Sequence, residues 1–451
     1  MRTLVVGMAK SGVAAARLLM DEGEKVALTD QKKPKELTEN LKPLASYPDA
    51  QWRSGEGLFD HISEVVISPG VPIDSPVPTQ ARVLGIPVSG ELEVAYRYFK
   101  GELAAITGTN GKTTTTTLVG EMIKNAGHTT YVVGNIGDPF ADVAHNSQRG
   151  DVAVCEVSSF QLESIHAFHP RVSAILNITE DHLNRHHDMA TYIAMKERIF
   201  ENQAGDDALV LNLDDPLLRE TAKKAACRVA WFSRREKVDF GAYAWEGRMY
   251  LSHRGETIDL IGCDELLIPG AHNLENALAA SAIAHLMGVD ADIIRTTLRS
   301  FKGVEHRIEP VREVSGVLFI NDSKGTNADS VEKAIDALSR PAVLILGGSE
   351  KHVDFARLCQ KIKSCGLITH AVLIGETAPQ LDRQLHEAGF DRITHCGRDF
   401  EGAVHTAYSL ARPGDAVLLS PACASFDMFS CFEERGEIFK DIVMKLGEKD
   451  R

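Results

Sequence analysis

Residues Ala104 to Thr117 read A-A-I-T-G-T-N-G-K-T-T-T-T-T. An apolar strand, Leu103 to Ile106, runs into a glycine-rich turn, and the pattern predicts a helix from about Gly111. This is the order of parts in a phosphate-binding loop. Gly108 and Gly111 let the backbone approach an anion, and with Thr109 and Asn110 they turn its N–H groups toward it. The new helix offers its positive end to the same anion, with Thr113 and Thr114 on its first turn. Lys112 can reach the β- and γ-phosphates of a nucleotide, and the Thr113 hydroxyl can reach Mg²⁺. A G-x-x-x-x-G-K-T loop needs glycine at 106; this chain has Ile106, so the loop is not the common Walker A.

The remainder of the chain is sized for more than one domain, at 451 residues. A net charge of −14 and the lack of a long basic run argue against a nucleic-acid partner. The eight cysteines are scattered with no C-x-x-C, as in a reducing, cytoplasmic setting. The apolar run Leu4–Val6 is too short for a signal peptide, and no stretch approaches a membrane span.

Upstream of the loop, a strand at Thr3 to Val6 enters the turn Gly7-Met8-Ala9-Lys10-Ser11-Gly12 and a helix to about Asp21. A second strand, Lys25 to Thr29, ends at Asp30. That is a β-α-β unit with an acid about 20 residues past its glycines. Ala9 replaces the middle glycine, which weakens the case for NAD. A uridine diphosphate, a flavin-like ligand or no nucleotide stay open. Strands are expected at Glu64–Ser68 and Ile86–Val88, with a domain boundary near Ser89–Leu92.

Downstream, the strand Val152–Val157 is almost wholly apolar yet carries Glu156. A buried carboxylate is costly unless paired or on a metal. Glu156 therefore reads either as a Mg²⁺ ligand or as a salt-bridged or capping group. The histidines His166, His169, His182, His186 and His187 lack an H-E-x-x-H and read mostly as surface residues; His182 differs, following a strand end (Val172–Leu176). In the helix Met189–Glu201, Lys196 falls among Tyr192, Met195, Ile199 and Phe200. Either it snorkels to solvent or its buried amine loses its proton. Asn273 and Asn276 open an alanine-rich helix, where they can hold a purine or simply cap. From Phe301 onward, strands and helices alternate as a second doubly wound sheet. Three polar clusters fall at its strand ends, 321–326, 347–351 and 420–427, where such sheets bind ligands.

With these motifs in place, the chain resembles the Mur ligase family along its whole length. The matching segments are I-T-G-T-N-G-K-T, G-N-I-G, E-V-S-S-F-Q-L-E, N-I-T-E-D-H-L, H-N-x-x-N-A-L-A-A, H-R and N-D-S-K-x-T-N. The segment L-L-S-P-A-C-A-S-F-D-x-F resembles the D-glutamate-adding branch, and D-N-P-R of the diamino-acid-adding branch is absent. The stretches His166–His187 and Gln31–Ser63 match loosely.

The resemblance implies an α/β fold of three domains: a Rossmann-like domain at 1–91, a P-loop-type ATPase domain at 92–301 and a Rossmann-like domain at 302–451. It implies ATP-driven amide formation between UDP-N-acetylmuramoyl-L-alanine and D-glutamate through an acyl phosphate, in a cytoplasmic monomer. Two Mg²⁺ ions are implied, one on Thr113 and Glu156, the other on His182 and a carbamylated Lys196. Lys10, Ser11 and Asp30 would serve the uridine diphosphate, and Asn135 and Ser158 the substrate. Asn273 and Asn276 would contact adenine; Arg307, Asp322 and Lys324 would approach the ribose and phosphates. His306, carried over as catalytic, would join Thr326, Lys351, Ser425 and Phe426 around D-glutamate, with Phe432 nearby. Three other readings stay open: a folylpolyglutamate-synthetase-like ligase, an NAD-dependent oxidoreductase on Gly7–Asp30, and a phosphate-loop switch without ligase activity.

Overall fold

Three sheets follow one another along the chain in the computed structural model, which describes residues 1–181, 183–253, 255–349 and 353–447. The first is built from β1 (Arg2–Val6), β2 (Val26–Thr29), β3 (Gln51–Trp52), β4 (Ile62–Ile67) and β5 (Val88–Gly90), in the order β3-β2-β1-β4-β5. All its pairs are parallel. Parallel strands are covered on both faces, which is why L-V-V and V-V-I run apolar without alternation.

Nine strands make the second sheet: β6 (Glu102–Thr107), β7 (Thr130–Gly134), β8 (Val152–Glu156), β9 (Val172–Ile175), β10 (Ala208–Asn212), β11 (Arg228–Ser233), β12 (Gly241–Trp245), β13 (Arg248–His253) and β14 (Glu256–Gly262). Their order is β14-β13-β12-β11-β10-β9-β6-β8-β7. The chain leaves β6 for β7 and returns to insert β8 between them. That reversal makes a crevice at the carboxyl ends of β6, β8 and β9, the place where open α/β sheets take ligands. The far edge, β12 to β14, turns antiparallel. Glu246 and Gly247 both have positive φ there, as a two-residue hairpin of matching twist demands.

The third sheet holds β15 (Glu309–Val314), β16 (Val317–Asn321), β17 (Ala342–Gly347), β18 (Ile368–Ile374), β19 (Ile393–Gly397) and β20 (Ala416–Leu419), ordered β15-β16-β20-β17-β18-β19. Only the edge pair β15·β16 is antiparallel. The protein is thus a three-domain α/β molecule. Two compact units result: Met1–Leu267 with His272–Phe301, and a second starting at Lys302 that takes in Ile268–Ala271.

Within the first unit, the first two sheets are joined through the helix Glu91–Tyr98, which the sequence reading missed. Eight residues give too short a window for a 3.6 period to stand out. Its Leu92, Val94 and Ala95 are buried in a core shared with Leu103, Phe140 and Phe168. Burying each large side chain there is worth about 1.5–3 kcal/mol. Its two buried carboxylates act as backbone acceptors: Glu93 takes the N–H groups of His166, Ala167 and Phe168, and Glu91 that of Ala141 at 2.7 Å. Among the described residues, no helix is long and apolar enough to cross a membrane.

Candidate functional site

The phosphate loop leaves β6 at the crevice. Asn177, just past β9, clamps it: its amide donates to Asn110 O at 3.0 Å and accepts from Asn110 N at 2.8 Å. Its carbonyl takes the Thr109 N–H at 3.0 Å. Those two loop N–H groups are therefore engaged within the protein. The first turn of the helix Lys112–Asn125 starts beside them, and a helix start leaves N–H groups over that can meet an anion. Gly111 has φ +82°, and a Cβ there would lie 2.2 Å from Asn276 Oδ1. Glycine is thus required for the loop to seat against Asn276. Asn276 in turn donates to Asn273 Oδ1 at 3.2 Å and accepts from Thr115 at 3.4 Å. Both asparagines are buried beside the loop; Thr114 is buried under it.

The side chains at the helix start converge. Lys112 bends back, its ammonium donating to the Gly108 and Thr109 carbonyls, both at 2.8 Å. Thr113 Oγ1 donates to Glu156 Oε2 at 2.8 Å, and Asn135 donates to Glu156 Oε1 at 2.9 Å. Among the described residues Glu156, 2% exposed, has neither a salt-bridge partner nor a helix end to cap. Its partners are a hydroxyl and an amide N–H, and the Glu156 carboxylate with the Thr113 hydroxyl makes a buried oxygen pair that fits a hard cation such as Mg²⁺. Ser158 caps the short helix Ser159–Leu162 through Gln161.

Lys196 does not snorkel. It is 2% exposed, its amine donates to Gly108 O at 2.9 Å, and it lies 4.6 Å over the Tyr192 ring. Burial first, then the Lys112 charge, holds it well below the usual lysine range. Glu197 pairs with Lys224 instead, at 2.7 Å. His182 lies outside the described residues. The surface reading of its neighbours fails at His186, which is 2% exposed, bonds Ser159 Oγ at 2.9 Å and lies over Phe160. The sequence reading also missed Asn177, Tyr192 as partner to Thr109 (3.2 Å), and Arg185, bonded to Glu163 at 2.6 Å. Asn177 sits in the quoted N-I-T-E-D-H-L segment, so a signal for it was present.

In the amino-terminal domain, a cavity of about 450 Å³ is lined by Gly7, Ala9, Asp30, Ser68, Val71 and Pro72, among others. Asp30 accepts from Met8 N at 2.6 Å, so the acid closes the turn as well as facing the cavity. Lys10 and Ser11 are not in its lining. The Lys10 ammonium reaches the Gly137 carbonyl at 2.9 Å and Asp138 at 3.2 Å.

The second unit carries the other candidates. Asp322 is buried, accepting from Ser420 Oγ at 2.6 Å and Ile308 N at 3.2 Å; burial lifts its pKa to about 6. Its carboxyl ties the loop from within. Lys324 lies 5.4 Å over the Phe432 ring. His306 is buried with φ +62°, paired to Asn321 at 2.9 Å and 3.4 Å from Glu437. Ser425 is 2% exposed whereas Phe426 is 75% exposed; Arg307 and Thr326 are half-buried. Lys351 lies outside the described residues.

Comparison with known proteins places the chain in a family. Three family descriptions match: the Mur ligase MurD-like amino-terminal domain over residues 1–90, the Mur ligase middle domain over 106–284, and the Mur ligase glutamate ligase domain over 306–423. The chain belongs to the Mur ligase family. A curated relative from Thermoanaerobacter pseudethanolicus, named UDP-N-acetylmuramoylalanine–D-glutamate ligase, is 47% identical over 450 residues, 99% of this chain and 98% of the relative. One of the same name from Clostridioides difficile is 45% identical over 448 residues, again 99% and 98%. Among solved structures, UDP-N-acetylmuramate-alanine ligase MurC from Thermotoga maritima matches in fold with a TM-score of 0.61 at 19% identity, covering 98% of this chain and 99% of that one. MurF ligase from the same organism, in complex with ADP, gives 0.61 at 17%, covering 98% of each.

Proposed function

We propose that this chain joins D-glutamate to UDP-N-acetylmuramoyl-L-alanine, driven by ATP, through an acyl phosphate. The observation that carries the reading is the convergence of Lys112, Thr113, Glu156 and Lys196 on one phosphate loop in a Mur ligase chain. We further assign residues 1–91 to the uridine diphosphate end of the substrate, 92–301 to ATP and 302–451 to the incoming amino acid, in a monomeric cytoplasmic enzyme.

A carboxylate is a poor acceptor of an amine. Its terminal oxygen attacks the γ-phosphorus, ADP leaves, and an acyl phosphate remains. The amine of D-glutamate then attacks the carbonyl carbon, phosphate departs, and the amine loses a proton. Negative charge gathers in both steps, so the protein's part is positioning and electrostatics. Lys112 neutralises the β- and γ-phosphates, and the first-turn N–H groups orient them. Asn135 and Ser158 stand beside the reacting carboxylate, and Asn273 and Asn276 receive the adenine. Thr113 and Glu156 would hold one Mg²⁺, and His182 with a carbamylated Lys196 a second; such ions offset charge on phosphoryl oxygens. Arg307, Asp322 and Lys324 serve the nucleotide. His306, Thr326, Lys351, Ser425, Phe426 and Phe432 form the D-glutamate pocket, with Lys351 as partner to the side-chain carboxylate.

Phosphate release from ATP is expected to need both UDP-N-acetylmuramoyl-L-alanine and D-glutamate, measured by a phosphate assay across UDP-sugar acceptors and both glutamate enantiomers. Equal turnover with L-lysine or a diamino acid would remove the specificity claim. A finer test addresses the pocket. Ser425→Ala and Lys351→Ala should each raise KM for D-glutamate about tenfold or more, the size of one lost charge-assisted or buried hydrogen bond. KM for ATP should stay within about twofold of the wild type. The reverse pattern would move the pocket elsewhere.

A further inference from the structure

Three loops leave adjacent parallel strands at the carboxyl end of the third sheet: 322–326 after β16, 420–427 after β20, and 348–349 after β17. Under them lies Arg435, near the start of the helix Phe432–Lys445, with its side chain fully buried. Its Nε donates to Ser323 Oγ at 3.0 Å. Nη2 donates to Ser323 O at 2.8 Å and to Cys423 O at 3.2 Å, and Nη1 to Ala424 O at 3.4 Å. The Ala424 carbonyl also accepts from Ser349 N at 2.9 Å, and a Cβ on Gly348 would lie 2.2 Å from that oxygen. The Ser323 hydroxyl in turn donates a hydrogen bond to Phe432 O at 2.8 Å. One guanidinium therefore holds two loops directly and the third through Ala424.

The position is costly. Among the described residues no carboxylate bonds Arg435; its partners are carbonyls and a hydroxyl. Asp322 and Asp427 act on it only through space, and a buried charge hydrogen-bonded to neutral groups alone serves stability less well than an apolar side chain of similar volume. What arginine adds is a rigid planar fork of five donors, able to reach several carbonyls at fixed angles. Lysine presents one short-range point charge and cannot span them.

We propose that Arg435 is a positioning residue that locks the three strand-end loops into one mutual arrangement and so shapes the amino-acid pocket. The inference rests on the reading of this domain as the D-glutamate site. Ser425 follows Ala424 directly, and Thr326 lies just past Ser323, so the clamped carbonyls set the place of pocket groups. Released, the loops would still fold but would present their groups in shifting register, and a misplacement of one ångström is enough to weaken binding and turnover.

The test uses the full chain with Arg435→Met, Arg435→Lys and Arg435→Ala. The measurements are KM for D-glutamate, binding of UDP-N-acetylmuramoyl-L-alanine, Tm, and amide hydrogen exchange over 321–326, 347–349 and 420–427. Expected are a rise of about tenfold or more in KM for D-glutamate in all three variants, with UDP-substrate binding and the Tm of Arg435→Met unchanged. All three loops should exchange faster together, and added guanidinium should restore Arg435→Ala toward the wild-type KM. Unchanged exchange, or kinetics that follow only the fraction folded, overturns the proposal. If the wild type does not use D-glutamate, the functional reading fails; joint loosening of the loops would still support the clamp, and its absence would still refute it.

Discussion

Lys112→Ala is expected to lower kcat by about two to three decades while leaving the fold and UDP-substrate binding intact. The residue opens the helix Lys112–Asn125, and its ammonium is parked on the Gly108 and Thr109 carbonyls at 2.8 Å. Those bonds hold the charge over the loop where the β- and γ-phosphates would sit. Alanine keeps the helix, since its propensity is at least as high as lysine's, and removes the charge with its two bonds to the loop carbonyls. Charge placed in advance against developing phosphoryl charge is worth on the order of 3–4 kcal/mol, two to three decades in kcat. The cavity lined by Asp30 and Val71 lies in another domain and should bind its ligand unchanged, read by calorimetry beside a phosphate-release assay. Near-normal activity in the variant would show that the ATP site lies elsewhere.

The loop was legible because strand, glycines, lysine and threonine occur in an order that few other structures require. The parallel sheets were legible for a related reason: strands such as Val152–Glu156, buried on both faces, leave unbroken apolar runs. Less could be read where a residue's role depends on partners distant in sequence. Asp322 is buried against Ser420, 98 residues away, a partner that its own segment does not announce. His186 was grouped with surface histidines because only the packing of Phe160 and Tyr192 encloses it. Arg435 carried no motif; its meaning comes from carbonyls that two loops bring together. The edge strand Glu309–Val314 escaped notice since half its residues face solvent and Pro310 interrupts the pattern. Even Lys196, correctly placed on an apolar face, read equally well as a snorkelling lysine until its burial was seen.

Lys196 is expected to carry a carbamate when CO₂ is present, and Lys196→Met to lower kcat by on the order of 100-fold or more. Its amine sits 2.9 Å from Gly108 O and 4.6 Å from the Tyr192 ring, away from solvent. Burial, and then the neighbouring Lys112 charge, push its pKa well below the usual range, which enlarges the share of free amine. A free amine adds its lone pair to the carbon of CO₂, one N–C bond forms, and one proton leaves to solvent. The product is an anion beside Lys112, which turns a like-charge clash into an attraction. Labelled ¹³CO₂ should give a carbamate signal in the wild type that is absent from Lys196→Met. The pH dependence follows in sign. In CO₂-free buffer the unfolded chain holds this proton up to a pH of about 10.4 whereas the folded chain releases it earlier, so this group makes stability rise with pH across that window. Lys196→Met removes that slope. Its Tm should therefore exceed the wild type's at neutral pH, with the gap closing as pH approaches the ordinary lysine value. Finding the lysine unmodified and solvent-facing in the substrate-bound enzyme at neutral pH, or a Tm gap that widens with pH, would refute this account of the site.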